Sequence, residues 1–396
     1  MYLFSDKNAP PDDLGNFVVS FWRENEDEPR DVMRARVASA LASGNILSLL
    51  QALPSSRLPS IIPIELRNNG LTASVRTSPP DSHYLQQLEP ISKFVSKFVA
   101  TASPPLMRPL HTLDSIRFVS AFESGSAGAY LVKPQNDAHP HVLKVLLETD
   151  FLLHTDEEIS FTFTARLTAM YNEMRILMKI PPHPNIIQPP IALVTMLRAG
   201  EPVVCGFLAK FHPGGNIRDL LDAADPPSLE RRVRWASQIA AAIHHLHRVA
   251  HTYHGDIKLD NVVLSANDDA VLIDFEQTRH AEACLAPEAH GEWDVIPDVP
   301  VERDVGTNAI TVRYVQYNGP DRGDDWSAYG AWEGYPDAIE AIEVYALGDL
   351  LKTLFDSTSP PGTISKISDQ CLNADPIARP RLETIAAELR ALSEQS

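Results

Sequence analysis

Residues 254–261 bring together side chains that could act together in catalysis. Asp256, Lys258 and Asn261 lie close together in this segment, and Asp274 follows a short apolar run. A carboxylate can accept a proton from an attacking hydroxyl, and an ammonium group can offset negative charge. Carboxylate and amide oxygens are also the ligands that hard divalent cations prefer. These residue types therefore suit a reaction at a charged group that a metal ion holds.

The order and spacing of these residues resemble two motifs of protein kinases. The catalytic-loop pattern H-R-D-L-x-x-x-N corresponds to residues 254–261, and D-F-G begins at Asp274. The resemblance implies phosphoryl transfer from ATP, with Asp256 as the base and Lys258 at the moving phosphoryl group. Asn261 and Asp274 would hold Mg²⁺ against the phosphates.

Segments upstream resemble the small lobe of a kinase. A turn keeps the last two glycines of the loop that covers the ATP phosphates, Gly125 and Gly128. The next apolar strand resembles V-A-I-K, which implies that Lys144 binds the α- and β-phosphates. Glu173, on the following helix, would pair with Lys144. The strand at 203–211 and the turn after it resemble the hinge that contacts adenine. The resemblance adds these residues to the nucleotide-binding set: Ala209 as gatekeeper, Lys210, Phe211, His212 and Asn216.

Three downstream segments complete the resemblance. Residues 317–321 resemble the A-P-E element, and residues 343–348 resemble the start of the central helix, with Glu343 where Asp is usual. Arg379, followed by proline, resembles the arginine that pairs with the A-P-E acid. We therefore expect an Arg379–Asp321 ion pair that ties down the activation segment. The resemblance covers about residues 115–392 and is nearest to fungal protein-kinase-like proteins.

Four positions depart from the family pattern. Gly255 replaces the arginine of H-R-D, so phosphorylation of the activation loop is not expected to switch this protein. Glu276 replaces the glycine of D-F-G, and Glu123 replaces the first glycine of the phosphate loop. Tyr314 occupies the place before the A-P-E element where Ser/Thr kinases usually carry threonine.

Two other functions stay open beside a Ser/Thr-type protein kinase. The variants H-G-D and D-F-E also resemble aminoglycoside and choline phosphotransferases, which act on small molecules. Those enzymes usually lack a lysine at the place of Lys258 and lack the A-P-E element. A pseudokinase that acts as a binding module is the third interpretation, favoured by Glu123 and Glu276.

The apolar pattern predicts an α+β chain with a small β-rich lobe and a larger helical lobe, and the resemblance implies the bilobal protein-kinase-like fold. The small β-rich lobe spans 111–211, and the larger helical lobe spans 212–396. A helical N-terminal extension, packing or regulatory, spans 1–110, with apolar stripes at 31–53 and 85–98. Alternation and helical spacing predict the following elements: strands at 116–122, 130–132, 141–147, 191–196 and 203–211, and helices at 163–179 and 231–249.

Composition narrows the function classes. The 396 residues include 52 acidic and 34 basic side chains, a net charge of −18, which argues against nucleic-acid binding. No run of 18 apolar residues occurs, so no membrane span is expected. Three widely spaced cysteines and a start that lacks the secretory pattern favour an intracellular protein, cytoplasmic or nuclear.

The negative charge is concentrated in one part of the chain. Residues 1–110 carry 11 basic and 11 acidic side chains, whereas residues 276–345 carry 4 basic and 15 acidic ones. Such a block is often a solvated loop. The resemblance places it in the activation and substrate-docking segment, which predicts a preference for basic peptides or a cationic small molecule.

Overall fold

The structure is a computed structural model, and it describes most of the chain after residue 110. The described residues are 2–4, 18–20, 64–67, 70–73, 86–97, 110–122, 128–135, 137, 139–146, 156–223, 225–275, 286–290, 293–297, 312–319, 336–356 and 360–395. They form two compact units. The first unit comprises Met1–Leu167 and Pro190–Phe211, and the second comprises Thr168–Pro189 and His212–Ser396.

The described part of the N-terminal extension contains strands as well as a helix. Strands β1 (Tyr2–Phe4) and β2 (Val18–Ser20) pair with each other, as do β3 (Ile64–Arg67) and β4 (Gly70–Ala73). Helix α1 (Ile91–Ser96) confirms the second apolar stripe. The first stripe, at 31–53, lies outside the described residues. The described residues of the extension thus contain four short strands beside this helix, and a helical extension over 1–110 stays a prediction.

A six-stranded sheet forms the centre of the first unit. Its strands are β5 (His111–Thr112), β6 (Ile116–Ala121), β7 (Ala129–Pro134), β8 (His141–Val145), β9 (Ala192–Arg198) and β10 (Glu201–Lys210). The spatial order is β5-β9-β10-β8-β7-β6, with every pair antiparallel except β5 with β9. Alternating burial along β8 matches a sheet with one covered face. The strands predicted between residues 116 and 211 are confirmed.

Helix α2 (Asp156–Lys179) contributes residues to both units, and the other helices belong to the second. These are α3 (Ile217–Leu221), α4 (Leu229–Arg248), α5 (Pro336–Phe355), α6 (Gly362–Cys371) and α7 (Leu382–Ser393). The second unit also contains two antiparallel strand pairs: β11 (Val262–Leu264) with β12 (Ala270–Leu272), and β13 (Trp293–Pro297) with β14 (Val312–Gln316).

The core of the second unit gathers around α4 and α5. The apolar stripe predicted on α4, which consists of Trp235, Ile239, Ile243 and Leu246, is at most 1% exposed. Burial of such a stripe stabilises a helix more than its intrinsic propensity does. Within the described part of the chain, no helix is both long enough and apolar enough to cross a bilayer.

Candidate active site

Asp256 is the centre of a small hydrogen-bonded cluster in the second unit. The Lys258 ammonium lies 2.7 Å from Asp256 Oδ2, and Asn261 Nδ2 donates to the same oxygen at 2.8 Å. Asn261 Nδ2 also donates to the backbone carbonyl of Asp256 at 2.8 Å. Asn261 closes the 3-10 turn Leu259–Asn261, which holds it there. The structure thus brings together three residues that the sequence singled out.

The charge of Lys258 is maintained by its acidic neighbours. Burial opposes the charged form of this side chain, but the hydrogen bond and the charge of Asp256 outweigh that effect. Asp274 and Asp260 add to the attraction, and the pKa of Lys258 is raised. Lys258 therefore carries a positive charge at neutral pH, beside the carboxylate that would receive a proton.

His254 connects the catalytic loop to the segment before Asp274. The side chain is fully buried. Its Nδ1 accepts the Asp256 N–H at 3.2 Å, which places the ring proton on Nε2. Nε2 donates to the Ile273 carbonyl at 2.9 Å, and the ring lies 4.6 Å from that of Phe275 between centroids.

The backbone of the catalytic loop is anchored by Glu343 on helix α5. Glu343 Oε1 accepts the N–H groups of His254 and Gly255 at 2.8 and 2.7 Å, and Oε2 lies 2.6 Å from His247 Nε2. Burial raises the pKa of Glu343, but the hydrogen bonds and charge of His247 lead the opposing effects, and the net result is a lowered pKa. Gly255 has φ +88°. Glycine adopts this left-handed conformation without steric cost, so the backbone conformation explains why residue 255 is a glycine.

Asp274 and Asn261 lie on adjacent stretches of chain. The Ile273 N–H donates to the Asn261 carbonyl at 3.0 Å, so Asp274 follows directly from a residue bonded to Asn261. Asp274 has φ +71°, a left-handed conformation that Asp tolerates better than most residues. The next residue, Phe275, donates its N–H to Glu173 Oε1 at 3.3 Å. The pairing of Glu173 with Lys144 stays a prediction.

The oxygen donors of Asn261 and Asp274 fit a hard divalent cation. Because the Asn261 amide nitrogen is turned toward Asp256, the amide oxygen is the atom left for a cation. Among the described residues, no group of three or more His, Cys, Asp or Glu side chains gathers as a metal site. Mg²⁺ takes one or two protein ligands and completes its shell with water and phosphate oxygens.

Lys144 lies in the middle of β8 in the first unit. It is paired with Ala129 on one side and with Phe207 on the other. Gly128 has φ +96°, and a Cβ there would lie only 2.3 Å from the Val145 carbonyl oxygen. Gly128 is therefore required for the close approach of the turn to β8, whatever its role toward phosphate.

The predicted hinge residues follow the end of β10. Ala209 is buried and pairs with Val142, whereas Lys210 is exposed and ends the strand. Phe211 and His212 follow as half-buried residues, and the division between the two units falls between them. Their contact with adenine stays a prediction.

Asn216 is the N-terminal capping residue of helix α3. Its Oδ1 accepts the Arg218 N–H at 2.7 Å and caps helix α3. Its Nδ2 donates to the Asp260 carbonyl, which connects the cap to the catalytic loop. Contact of Asn216 with the nucleotide stays a prediction.

The predicted Arg379–Asp321 ion pair is wrong. The Arg379 guanidinium instead binds the Glu288 carboxylate through two contacts, of which Nη2 to Oε2 measures 2.7 Å. Arg379 also donates to two backbone carbonyls, those of Asn373 at 2.8 Å and Ala341 at 2.9 Å. Asp321 lies outside the described residues, as do Gly125, Glu123 and Glu276.

Comparison with known families agrees with this geometry. A family model described as a protein kinase domain matches residues 127–291, a span that includes Lys144, Asp256, Asn261 and Asp274. This span carries a protein kinase domain. No curated protein matches the chain.

Within the kinase domain, residues 286–288 read Ala-Pro-Glu, the A-P-E element itself. Ala286 precedes the 3-10 turn Pro287–His290, and the other two residues lie in it. Both Ala286 and Glu288 are fully buried. The sequence comparison missed this element although its letters match the family pattern. The signal that could have found it is the tripeptide itself, which begins 12 residues after Asp274.

The place of Tyr314 in the family pattern differs from the predicted one for the same reason. Tyr314 lies on β14, paired with Val295, well after the A-P-E element. It therefore does not occupy the place where Ser/Thr kinases carry threonine. Its side chain lines a cavity of about 190 Å³ together with residues that include Asp337 and Arg381, and burial raises its pKa.

The acidic block at 276–345 is therefore not one activation segment, since most of it follows Glu288. Four of its described carboxylates bind cationic or histidine side chains of the second unit. The pairs are Glu288–Arg379, Asp337–Arg381, Glu340–Arg248 and Glu343–His247. These four acids stabilise the fold of the second unit. Residues 289–335 still carry nine acidic and three basic side chains.

Proposed function

We propose that this kinase domain transfers the γ-phosphoryl group of ATP to a serine or threonine hydroxyl of a protein. The observation that carries the proposal is the cluster of Asp256, Lys258 and Asn261. Lys258 and Asn261 both bind Oδ2 of Asp256, so Oδ1 is the oxygen left to accept the proton of the acceptor hydroxyl.

The remaining residues position the nucleotide and stabilise charge. Lys258 offsets the charge of the moving phosphoryl group, and Lys144 binds the α- and β-phosphates. When Mg²⁺ is bound by Asn261 and Asp274, it neutralises part of the phosphate charge. Gly125, Gly128 and residues 209–212 contact the nucleotide. Catalysis of this kind depends mainly on positioning and electrostatic stabilisation.

A protein substrate is favoured over a small molecule by the contact between Glu288 and Arg379. Aminoglycoside and choline phosphotransferases lack the A-P-E element and its arginine. The acidic segment 289–335 supports a preference for basic peptides, since its charge would attract them. Equal rates on acidic and basic peptides, unaffected by salt, would contradict that preference.

The test is a phosphorylation assay with labelled ATP and Mg²⁺ on a panel of proteins, peptides and small amines. We expect labelled serine or threonine and no labelled small molecule. Asp256→Asn should abolish transfer, because an amide cannot take up the proton. It should leave the thermal shift by ATP unchanged, because the amide oxygen can still accept from Asn261 Nδ2. The matched control is Asp260→Asn, an exposed acid of the same loop, which should retain activity.

A second pair of variants tests the nucleotide site. Lys144→Met should weaken nucleotide binding and lower the rate, whereas Lys133→Met, which alters an exposed lysine of β7, should do neither. If millimolar ATP with Mg²⁺ fails to raise the unfolding temperature of the unmodified protein, the enzymatic proposal fails and a binding module replaces it.

A further inference from the structure

A cavity of about 190 Å³ lies between three elements of the second unit. We call it the Tyr314 cavity, after the residue that strand β14 contributes to its wall. Helix α5 contributes four residues with the i, i+3, i+4 and i+7 spacing of one helix face: Asp337, Glu340, Ala341 and Val344. The rest of the wall comes from the 3-10 turn Pro376–Ala378 and the residues that follow it, up to Arg381.

Two charged side chains of the wall already have partners. Arg379 is bound by the buried Glu288 carboxylate. Glu340 accepts the Leu382 N–H at 3.1 Å through Oε1 and binds Arg248 at 2.6 Å through Oε2. A change of partner would leave a buried charge unpaired, which is costly. These two groups therefore form the fixed part of the wall.

Asp337 and Tyr314 have oxygen atoms that an incoming group can bind. Arg381 Nη1 donates to Asp337 Oδ1 at 3.0 Å, and among the described residues Asp337 Oδ2 accepts no hydrogen bond. Within the part of the chain that the structure describes, the Tyr314 hydroxyl has no hydrogen-bond partner either. Burial raises the pKa of this phenol, so it stays neutral and can accept a hydrogen bond. Two side chains with an oxygen acceptor to offer therefore line one cavity.

The ion pair between Arg381 and Asp337 can be exchanged at low cost. The two side chains are 61% and 30% exposed, and exposed ion pairs contribute little to stability because water and salt screen them. An arginine of another molecule can take the place of Arg381 on Asp337 without disturbing the buried ion pair of Arg379. Arg381 is thus a competitor for Asp337 rather than a fixed part of the wall.

Ile377 gives the cavity an exposed apolar surface. It lines the cavity and is 66% exposed. Asp375 Oδ1 accepts the Ile377 N–H at 2.9 Å, which holds the turn that carries it. Pro376 and Pro380 add to the same apolar lining. The aliphatic stem of an arginine packs on such a surface while its guanidinium reaches polar partners. The wall therefore matches both parts of an arginine side chain.

The sequence that leads into the cavity is acidic. Residues 320–337 carry five acidic side chains and one basic side chain. Glu333 is four residues before Asp337, and four residues of chain span at most about 14 Å. Charge of this sign attracts cations and repels anions. A cationic occupant is therefore favoured over an anionic or a purely apolar one.

We propose that the Tyr314 cavity binds an arginine side chain of the protein substrate, with Asp337 Oδ2 and the Tyr314 hydroxyl as acceptors for its guanidinium. A guanidinium has five N–H donors in a fixed plane, so one group can donate to both acceptors. The substrate role rests on the proposed function and refines its preference for basic peptides. Binding of the side chain does not depend on phosphoryl transfer and is measured separately.

The binding experiment titrates the full-length protein, labelled with ¹³C in the δ1 methyl groups of isoleucine, with N-acetyl-arginine amide. The Ile377 methyl signal, assigned by its loss in Ile377→Val, should shift and saturate. N-acetyl-norleucine amide, which has an aliphatic side chain and no charge, should leave the signal in place. An equal shift with the norleucine compound, or no shift with the arginine compound, overturns the proposal.

Three variants then test the acceptors. Asp337→Asn and Tyr314→Phe should each raise the Kd of the arginine compound by about two- to fivefold, the range for a partly exposed charge pair or one hydrogen bond. Arg381→Ala should lower the Kd by a similar factor, because it removes the competitor. The matched control is Asp349→Asn, which alters an exposed acid of α5 outside the cavity and should leave the Kd unchanged. Since Asp337→Asn and Arg381→Ala break the same ion pair, a merely structural role would move both Kd values in the same direction, and that result overturns the proposal.

The substrate role is tested with a serine peptide that carries several arginines, with labelled ATP and Mg²⁺. Asp337→Asn should raise the KM of this peptide by about two- to fivefold and leave kcat unchanged, since Asp337 lies outside the catalytic loop. The same peptide with norleucine in place of each arginine should have equal KM values in both proteins. An unchanged KM for the arginine peptide, with the methyl shift intact, overturns the substrate role. If the unmodified protein phosphorylates nothing, the proposed function fails, and the methyl titration alone decides whether the cavity binds arginine.

Discussion

Arg379 and Glu288 form a buried two-contact ion pair between a loop that precedes helix α7 and the A-P-E turn. Their side chains are 1% and 0% exposed. The guanidinium also donates to the carbonyls of Asn373 and Ala341, and it lies 4.8 Å above the ring of Tyr345. Nearly every donor of Arg379 is therefore satisfied, which a buried charge requires.

Replacement of either partner alone should destabilise the second unit severely. Arg379→Ala leaves the Glu288 carboxylate buried without its cation, and such losses cost about 3–5 kcal/mol. Urea denaturation measures the change. The matched control is Arg381→Ala, which breaks the exposed Arg381–Asp337 pair and should cost no more than ~1 kcal/mol. Similar losses in both variants would contradict the assigned role of burial.

The Arg379 contact also shows which part of an ion pair could be predicted from the sequence. The sequence alone identified Arg379 and the type of its partner, because both belong to a motif. It assigned Asp321 rather than Glu288, which lies 91 residues from Arg379. The literal Ala-Pro-Glu at 286–288 was a stronger local signal than residues 317–321.

Other parts of the fold were predictable because their signals are local. The spacing of Trp235 and Ile239 predicted α4, and the spacing of Asp256 and Asn261 matched the catalytic-loop motif. The segment at residues 86–97, in which Glu89 accepts the Val204 N–H at 2.9 Å, was predictable only as an apolar stripe. Its edge contact with Val204 depends on where β8 ends, a property that no short window contains.

Gly255 should be intolerant of any side chain. Its φ of +88° lies in the left-handed region, where a Cβ costs roughly 1–2 kcal/mol. Gly255→Ala should lower the free energy of unfolding by about that amount and reduce turnover, because the Asp256 backbone follows directly. The control is Gly362→Ala, at an exposed site where a Cβ meets nothing within 4 Å; it should be neutral or stabilising. A fully stable and active Gly255→Ala would show that the loop adjusts freely.

Glu343 should affect both acid stability and turnover. Its pKa is lowered in the folded protein from an ordinary value of 4.5. Its contribution to stability is therefore complete above about pH 4.5 and is lost as the pH falls through the lowered pKa. Glu343→Gln should remove this part of the acid dependence, cost about 2 kcal/mol at neutral pH, and lower kcat through the loop.

The matched control for that variant is Glu340→Gln. Glu340 is also buried on α5, but it binds Arg248 and the Leu382 N–H instead of the catalytic loop. Glu340→Gln should lose stability and keep its kcat. Equal kcat values in both variants would contradict an anchoring role for Glu343.

His183 should make the protein less stable in mild acid. Its Nδ1 accepts the Asn185 N–H at 3.2 Å, and its ring lies 4.7 Å from that of His245. Burial, and secondly the charge of His245, lowers the pKa of His183 from 6.5 to about 4. The unfolded chain therefore binds this proton more readily, so stability is complete above pH 6.5 and declines as the pH falls toward 4.

In His183→Asn, whose amide oxygen can still accept the Asn185 N–H, the unfolding temperature should fall less between pH 7.5 and 5 than in the unmodified protein. His251→Asn, at an exposed position with φ +50° that asparagine tolerates, is the control and should follow the unmodified curve. An unchanged curve in His183→Asn would assign the acid sensitivity to other groups.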